Sequence, residues 1–362
     1  MNDMTKAESQ DAPAAAAANP NPAPAGVPLE KAAEAPGAGA ISAARLQQAS
    51  EIVQRMREQI GHAVVGQQAV VDQVLACCLA GGHVLIEGVP GLGKTLLVKA
   101  LAKTFSGDFS RIQFTPDLMP ADVMGHAMFD MKNQSFSVRK GPVFAHLLLA
   151  DEINRAPAKT QSSLLEVMQE RQVTIEGQSH PLAPPFMVLA TQNPLENEGT
   201  YPLPEAQLDR FLIKVRIAYP SEQEELALLR QVTRARVGDG LDVARVATLV
   251  KPETIVALQN LVALIRVDEA VAAYAVRIVR ATRDWRGIAV GAGPRGSIAL
   301  VRMARAMALI GGRDFVTPDD IKTASLPVLR HRVALSPESE LDGLDSDDLL
   351  AALVAQVAAP RV

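Results

Sequence analysis

The chain predicts an α/β domain, a parallel sheet flanked by helices, followed by a smaller all-helical domain. Three observations carry this. Short apolar runs at 83–86, 146–150 and 186–190 alternate with longer helical stretches, the pattern of strand–helix–strand units. Strand signals stop after about Pro220, and only segments of helical period follow. The 362 residues leave room for about two domains at roughly 150 residues each.

Taken in order, residues 1–42 are rich in Ala and Pro and hold no aromatic side chain. They bury too little to offset their ordering entropy and are expected to be a disordered tail. The α/β domain is placed at 43–220 and the helical domain at 221–362. Leu46, Ala49, Val53, Met56 and Ile60 recur every three or four residues and mark a first helix. A second, at 67–79, repeats the pattern with Val70, Val71, Val74, Leu75 and Cys78. Cys77 and Cys78 therefore read as small packed hydrophobes. Helices at 222–237, 252–265, 268–282 and 297–310 build the second domain. A last helix, 347–357, has Ser346 as its expected cap, with Asp347 and Asp348 suited to the dipole of its first turn.

Composition narrows the classes. The net charge of −4 removes the basic signature of most nucleic-acid-binding domains. Two adjacent cysteines cannot make a disulfide framework, so a reducing compartment is expected. No run of about eighteen apolar residues suggests a membrane span, and the N-terminus lacks a signal-peptide pattern. The expected location is the cytoplasm. The six histidines are scattered without zinc spacing, and no Gly-x-Ser-x-Gly elbow occurs.

The chemistry concentrates at Gly88, Val89, Pro90, Gly91, Leu92, Gly93, Lys94 and Thr95, which fit G-x-x-x-x-G-K-[ST] between an apolar strand and a helix. Glycines let successive N–H groups cradle a polyphosphate, and the helix start, with Leu96 in its first turn, adds positive dipole. Lys94 is expected to reach the β and γ phosphates, and the Thr95 hydroxyl to ligate Mg²⁺. A second element, Leu147 to Ala150, ends in Asp151 and Glu152 at a strand mouth, where ligands bind in open α/β folds. Asp151 suits the Mg²⁺ shell and Glu152 the polarising of an attacking water, which points to a hydrolase rather than a kinase. A third run, Phe186 to Ala190, leads to Thr191, Gln192 and Asn193, with Asn193 the candidate for holding water or γ-phosphate. Pro194 fixes the exit. Arg210 and Arg295 complete the candidate set. No N-K-x-D motif is present, which favours ATP over GTP.

These motifs, with Gln113-Phe-Thr-Pro-Asp-Leu-Met-Pro-Ala-Asp122, Gly141-Pro-Val-Phe144, Asp151-Glu-Ile-Asn-Arg-Ala-Pro157, the 164–174 segment LLEVMQERQVT, Ala190-Thr-Gln-Asn-Pro194 and Leu203-Pro-Glu-Ala-Gln-Leu-Asp-Arg-Phe211, resemble those of MoxR-type AAA+ ATPases. The likeness runs from about Ala44 to the end. It implies a P-loop NTPase core with a helical lid, and adenine contacts from Val65, Gly66 and Gln67. By the same likeness Asn193 is sensor 1, Arg210 an arginine finger acting on a neighbouring subunit's ATP, and Arg295 sensor 2. It also implies a homo-oligomeric, hexameric ring, a separate partner carrying a von Willebrand A domain, and a client protein. The 126–140 segment, with Phe129 and Phe136, and the 173–180 segment match hairpins that face either a pore or a partner. Arg155 faces a neighbour's phosphate or pairs with a local carboxylate.

The expected function is Mg²⁺-dependent ATP hydrolysis coupled to remodelling or maturation of a client protein, metal-cofactor insertion being one form. Two alternatives stay open: an ATP-gated binding switch with slow turnover, and a motor subunit resembling that of magnesium chelatase.

Overall fold

The computed structural model describes residues 41–89, 91–193, 199–233 and 243–360. The expected tail lies outside these apart from Ile41 and Ser42, as do Pro90, Pro194 and the end of the helix expected at 222–237.

Helices α1 (Ala43–Gly61) and α2 (Gln68–Leu79) come first, followed by β1 (Val84–Glu87), α3 (Lys94–Thr104) and β2 (Phe109–Gln113). A short α4 (Pro120–Met124) leads into a hairpin of β3 (Gly125–Asp130) and β4 (Ser135–Lys140). Strand β5 (Leu147–Asp151), one 3-10 turn (Ile153–Arg155) and α5 (Ala158–Glu170) precede a second hairpin, β6 (Gln172–Ile175) and β7 (Gln178–Pro181). Strand β8 (Met187–Gln192), α6 (Glu205–Leu208) and β9 (Ile213–Arg216) close this part. Beyond lie α7 (Glu222–Thr233), α8 (Pro252–Leu264), α9 (Glu269–Ala281), β10 (Ile288–Val290), α10 (Pro294–Ile310) and α11 (Pro318–Leu329). The last elements are β11 (Ala334–Leu335), α12 (Pro337–Leu341) and α13 (Ser346–Gln356).

Five parallel strands form the central sheet in the order β2-β5-β8-β1-β9. The three central strands read as apolar runs because both of their faces are covered. Leu85, Leu148 and Val188 join the core on the α5 side, while Ile86, Leu149 and Leu189 join the core shared with α1 to α3, as strand alternation requires. The edge strands β2 and β9 carried no such signal. In β2 only Ile112 is buried, and in β9 buried Ile213 and Val215 alternate with half-buried Lys214 and Arg216.

The helical part is not a detached body. Gln54 of α1 donates to the Ile310 carbonyl at 2.7 Å, and Gln259 of α8 to that of Cys78 at 2.8 Å. Cys77 and Cys78 lie fully inside this packing. Three expectations are corrected here. The region beyond 220 is not all-helical, since β10 pairs antiparallel with β11; strands this short leave no periodicity to read. Asp345, not Ser346, caps the last helix, its side chain accepting from the Asp347 N–H. Helix α10 starts at Pro294, whose fixed φ suits a first helical position, so Arg295 sits in the first turn. Among the described residues no helix is long and apolar enough to cross a membrane.

Candidate functional site

The strand β1 ends at Glu87 and the chain turns through 88–93 into α3, whose first residue is Lys94. Gly91 and Gly93 take φ of +86° and +77°, a left-handed conformation that L side chains resist. A Cβ on Gly88 would lie 2.9 Å from the Ile217 carbonyl oxygen, so only glycine lets the loop pass β9 this closely. Lys94 Nζ donates back to the Gly88 carbonyl. Burial lowers the Lys94 pKa, while the nearby carboxylates of Asp151, Glu152 and Glu87 oppose that shift and favour its charge. Gln67 Nε2 donates to the Leu92 carbonyl at 3.3 Å, which ties the 65–67 segment to the loop. Glu87 is held by Lys214 at 2.7 Å and by Arg216, which also pairs with Asp345 of the lid.

Strand order assembles the rest. Because β8 lies between β5 and β1, Asp151, Thr191 and the phosphate loop meet at the carboxyl ends of three adjacent strands. Thr191 Oγ1 donates to Asp151 Oδ1 at 2.9 Å and accepts the Glu152 N–H at 2.9 Å. Arg111 of β2 pairs with Asp151 Oδ2 at 2.7 Å. Glu152 adopts φ +56° and ψ +51°, a costly left-handed conformation for a non-glycine residue and one that recurs at functional sites. Its Oε2 accepts from Gln113 Nε2 at 2.8 Å and pairs with Arg155 Nε at 2.8 Å. Within the single chain Arg155 pairs with a local carboxylate, that of Glu152.

These groups line one cavity of about 320 Å³: Gly91, Gly93, Lys94, Thr95 and Leu96 on one side, Asp151, Glu152, Thr191 and Asn193 on the other. Arg111, Gln113 and Lys99 complete it. Asn193 is 8% exposed, so its amide is fixed in place by packing. The arrangement can cradle a polyphosphate, neutralise it with Lys94, and set a carboxylate beside a polar side chain that orients water. Thr95 and the buried Asp151 supply hard oxygen donors in the same cavity, and Arg111 already rests on Asp151 as a cation. These residues fit Mg²⁺.

Arg210 and Arg295 are elsewhere. They line a second cavity of about 390 Å³ at the amino ends of β1 and β9, which shares no lining residue with the first. Arg210 Nη1 donates to the Leu165 carbonyl at 2.9 Å, and Arg295 pairs with Asp209 at 3.6 Å.

Residues 83–213 match the ATPase family associated with various cellular activities (AAA), and residues 280–353 match the AAA lid domain. The chain is 43% identical to chaperone MoxR1 of Mycobacterium tuberculosis, over 83% of this chain and 80% of that protein. The chain belongs to the MoxR family of AAA+ ATPases. It is also 46% identical to the uncharacterised protein YeaC of Bacillus subtilis, over 84% of this chain and 93% of that one. A solved structure from Cytophaga hutchinsonii, assigned as an ATPase, superposes with a TM-score of 0.80 at 40% identity, covering 87% of this chain and 97% of its own.

In this MoxR-family chain, sequence reasoning did not find Arg111 and Gln113, nor the joint role of Thr191. The first two sit on the same face of β2, two residues apart, with Gln113 in register with Asp151. Recognising β2 as a strand would have exposed them. The expected hairpins are present as β3–β4 and β6–β7, with Phe129 and Phe136 paired across the first at 5.2 Å.

Proposed function

We propose that this MoxR-family protein is an Mg²⁺-dependent ATPase assembled as a hexameric ring in the cytoplasm. It couples hydrolysis to remodelling or maturation of a client protein, alongside a partner that carries a von Willebrand A domain. The observation that carries the ring is the separation of the two cavities. Strands β1 and β9 run parallel, with Val84 level with Ile213. The phosphate loop leaves the far end of β1, whereas Arg210 precedes β9 at the near end. The four residues of β1 span about 13 Å, a separation that supports Arg210 and Arg295 serving a nucleotide bound by the next subunit. That extends the trans role to Arg295 as well as Arg210.

Within one subunit, the 88–93 loop and α3 hold the polyphosphate, and Lys94 neutralises the β and γ oxygens. Val65, Gly66 and Gln67 flank the adenine. Thr95 and Asp151 hold Mg²⁺, which when bound supplies positive charge to the phosphate oxygens. Glu152 takes the proton of the attacking water while Asn193 orients that water. The neighbour's Arg210 and Arg295 then stabilise charge on the transferring phosphoryl group. The chaperone name of the mycobacterial relative supports the client half of this reading.

The test is ATPase rate against protein concentration with Mg²⁺, for wild type and Arg210→Ala, with particle size by light scattering. Specific activity should rise as rings form and fall by about 10³-fold or more in the variant. A flat rate from a monomer that still binds ATP would replace the motor by a nucleotide-gated switch.

A further inference from the structure

The second cavity holds more positive charge than two trans-acting arginines explain. Arg171, Arg210, Arg295, Arg302 and Arg332 line it, with Asp209 the one carboxylate among the described lining residues. Asp209 is already engaged by Arg332 at 2.8 Å and by Arg295 at 3.6 Å. The other guanidinium groups are held by main-chain oxygens instead. Arg302 Nη2 donates to the Ala80 carbonyl at 2.7 Å and to that of Gly81 at 3.1 Å, and Arg171 Nη2 reaches the same Gly81 oxygen at 3.5 Å. Carbonyls orient a guanidinium without cancelling its charge. The carboxyl ends of α2 and α5 meet here and offer only the partial negative charge of helix termini.

Arg171 itself is an unusual choice of residue. It caps α5 in the left-handed conformation, φ +53° and ψ +31°, a position where glycine costs less. Its side chain is exposed at the cavity, unlike that of Arg332, which is 4% exposed and fixes Asp209. Backbone strain of this kind clusters at functional sites, and here it sets a long cation at the wall of an arginine-lined cavity.

We propose that, within the site where Arg210 and Arg295 meet a neighbouring nucleotide, Arg171 is a further direct ligand of the phosphates. The ligand is the triphosphate of a nucleotide carried by an adjacent copy of this chain, and a free inorganic polyphosphate shares the same chemistry. The adjacent-copy source rests on the ring reading given above. Arg302 and Arg332 act as positioning residues, the first on the Gly81 turn and the second on Asp209.

Two measurements test it with full-length protein. Dilute, unassembled Lys94→Ala is titrated with inorganic tripolyphosphate; adding Arg171→Ala should weaken binding at least tenfold, and Arg171→Lys should restore part of it. Equal affinity with and without Arg171 overturns the site. The second measurement mixes Glu152→Gln, which keeps the arginines, with Arg210→Ala, which keeps the hydrolytic groups. Hydrolysis should return in the mixture. Arg171→Ala should abolish that return when placed in the Glu152→Gln parent and leave it intact in the Arg210→Ala parent. Loss in both parents assigns Arg171 a structural role and overturns the proposal. Failure of the unmodified parents to restore hydrolysis overturns the ring reading instead, and the tripolyphosphate titration then decides the site alone.

Discussion

The hydroxyl of Thr191 donates to Asp151 Oδ1 at 2.9 Å, and the same oxygen receives the N–H of Glu152, so one side chain of β8 fixes both acids at the mouth of β5. Thr191→Val keeps the shape and removes both bonds. Leaving a buried acceptor unpaired costs about 1–3 kcal/mol, so the melting temperature should fall by several degrees. Steady-state hydrolysis should drop about tenfold with ATP affinity within a few-fold. Unchanged kcat would remove Thr191 from the positioning of the acids.

Glu152 accepts from Gln113 and pairs with Arg155, contacts that the isosteric amide of glutamine can keep in part. Glu152→Gln should therefore fold and bind nucleotide as before. Turnover should fall by about 10²–10⁴, the range of a lost general base. Nucleotide titration beside single-turnover kinetics separates the two. Wild-type turnover in the variant would show that another group takes the proton.

His83 is committed to its neutral form. Its Nδ1 accepts the Val188 N–H at 2.9 Å and its Nε2 faces the Met168 carbonyl at 3.1 Å, which fixes the Nε2–H tautomer. Burial pushes its pKa down to about 4. A histidine whose folded pKa is lowered takes up its proton more readily when unfolded, so stability is full above about 6.5 and is lost as pH falls toward 4. Denaturant melts across that window should show a loss of up to about 3 kcal/mol. His83→Gln should flatten part of the slope. His331, which burial and Arg332 hold well below its usual value, adds to the slope in the same direction.

Cys77 and Cys78 are wholly buried, and burial pushes the Cys78 thiol up to about 12 and that of Cys77 higher still. The thiolate is the reactive form. Native protein at pH 8 should resist thiol reagents for hours and label at both positions once denatured. Rapid native labelling would place α2 at the surface and contradict its packing against α1, α8 and α10.

Much of this protein could be read along the chain because its determinants are local. The phosphate loop needs glycines, a lysine and a hydroxyl within eight consecutive residues between a strand and a helix, and residues 88–95 supply them. Asp151 and Glu152 follow an apolar run that can only be a buried strand. The helices α1, α2, α8 and α9 declare themselves by period. By contrast β2 reads as polar because it is an edge strand with one covered position, which hid Arg111 and Gln113. The capping of α13 by Asp345 rather than Ser346 shifted by one residue because both side chains can accept.

What the sequence by itself determined is the chemistry of each segment: a glycine-rich loop with a lysine and a hydroxyl, two acids and a polar strand end, all in one α/β core followed by a mostly helical lid. Only the tertiary structure decided how those segments meet. The placing of β8 between β5 and β1 brings Thr191 and Asn193 to the loop, and it arises from which apolar faces can be buried together. The same parallel arrangement sends the ends of β1 in opposite directions, so Lys94 and Arg210 cannot share a cavity. Strand order and strand polarity depend on contacts between residues far apart in the chain, and no local pattern encodes them.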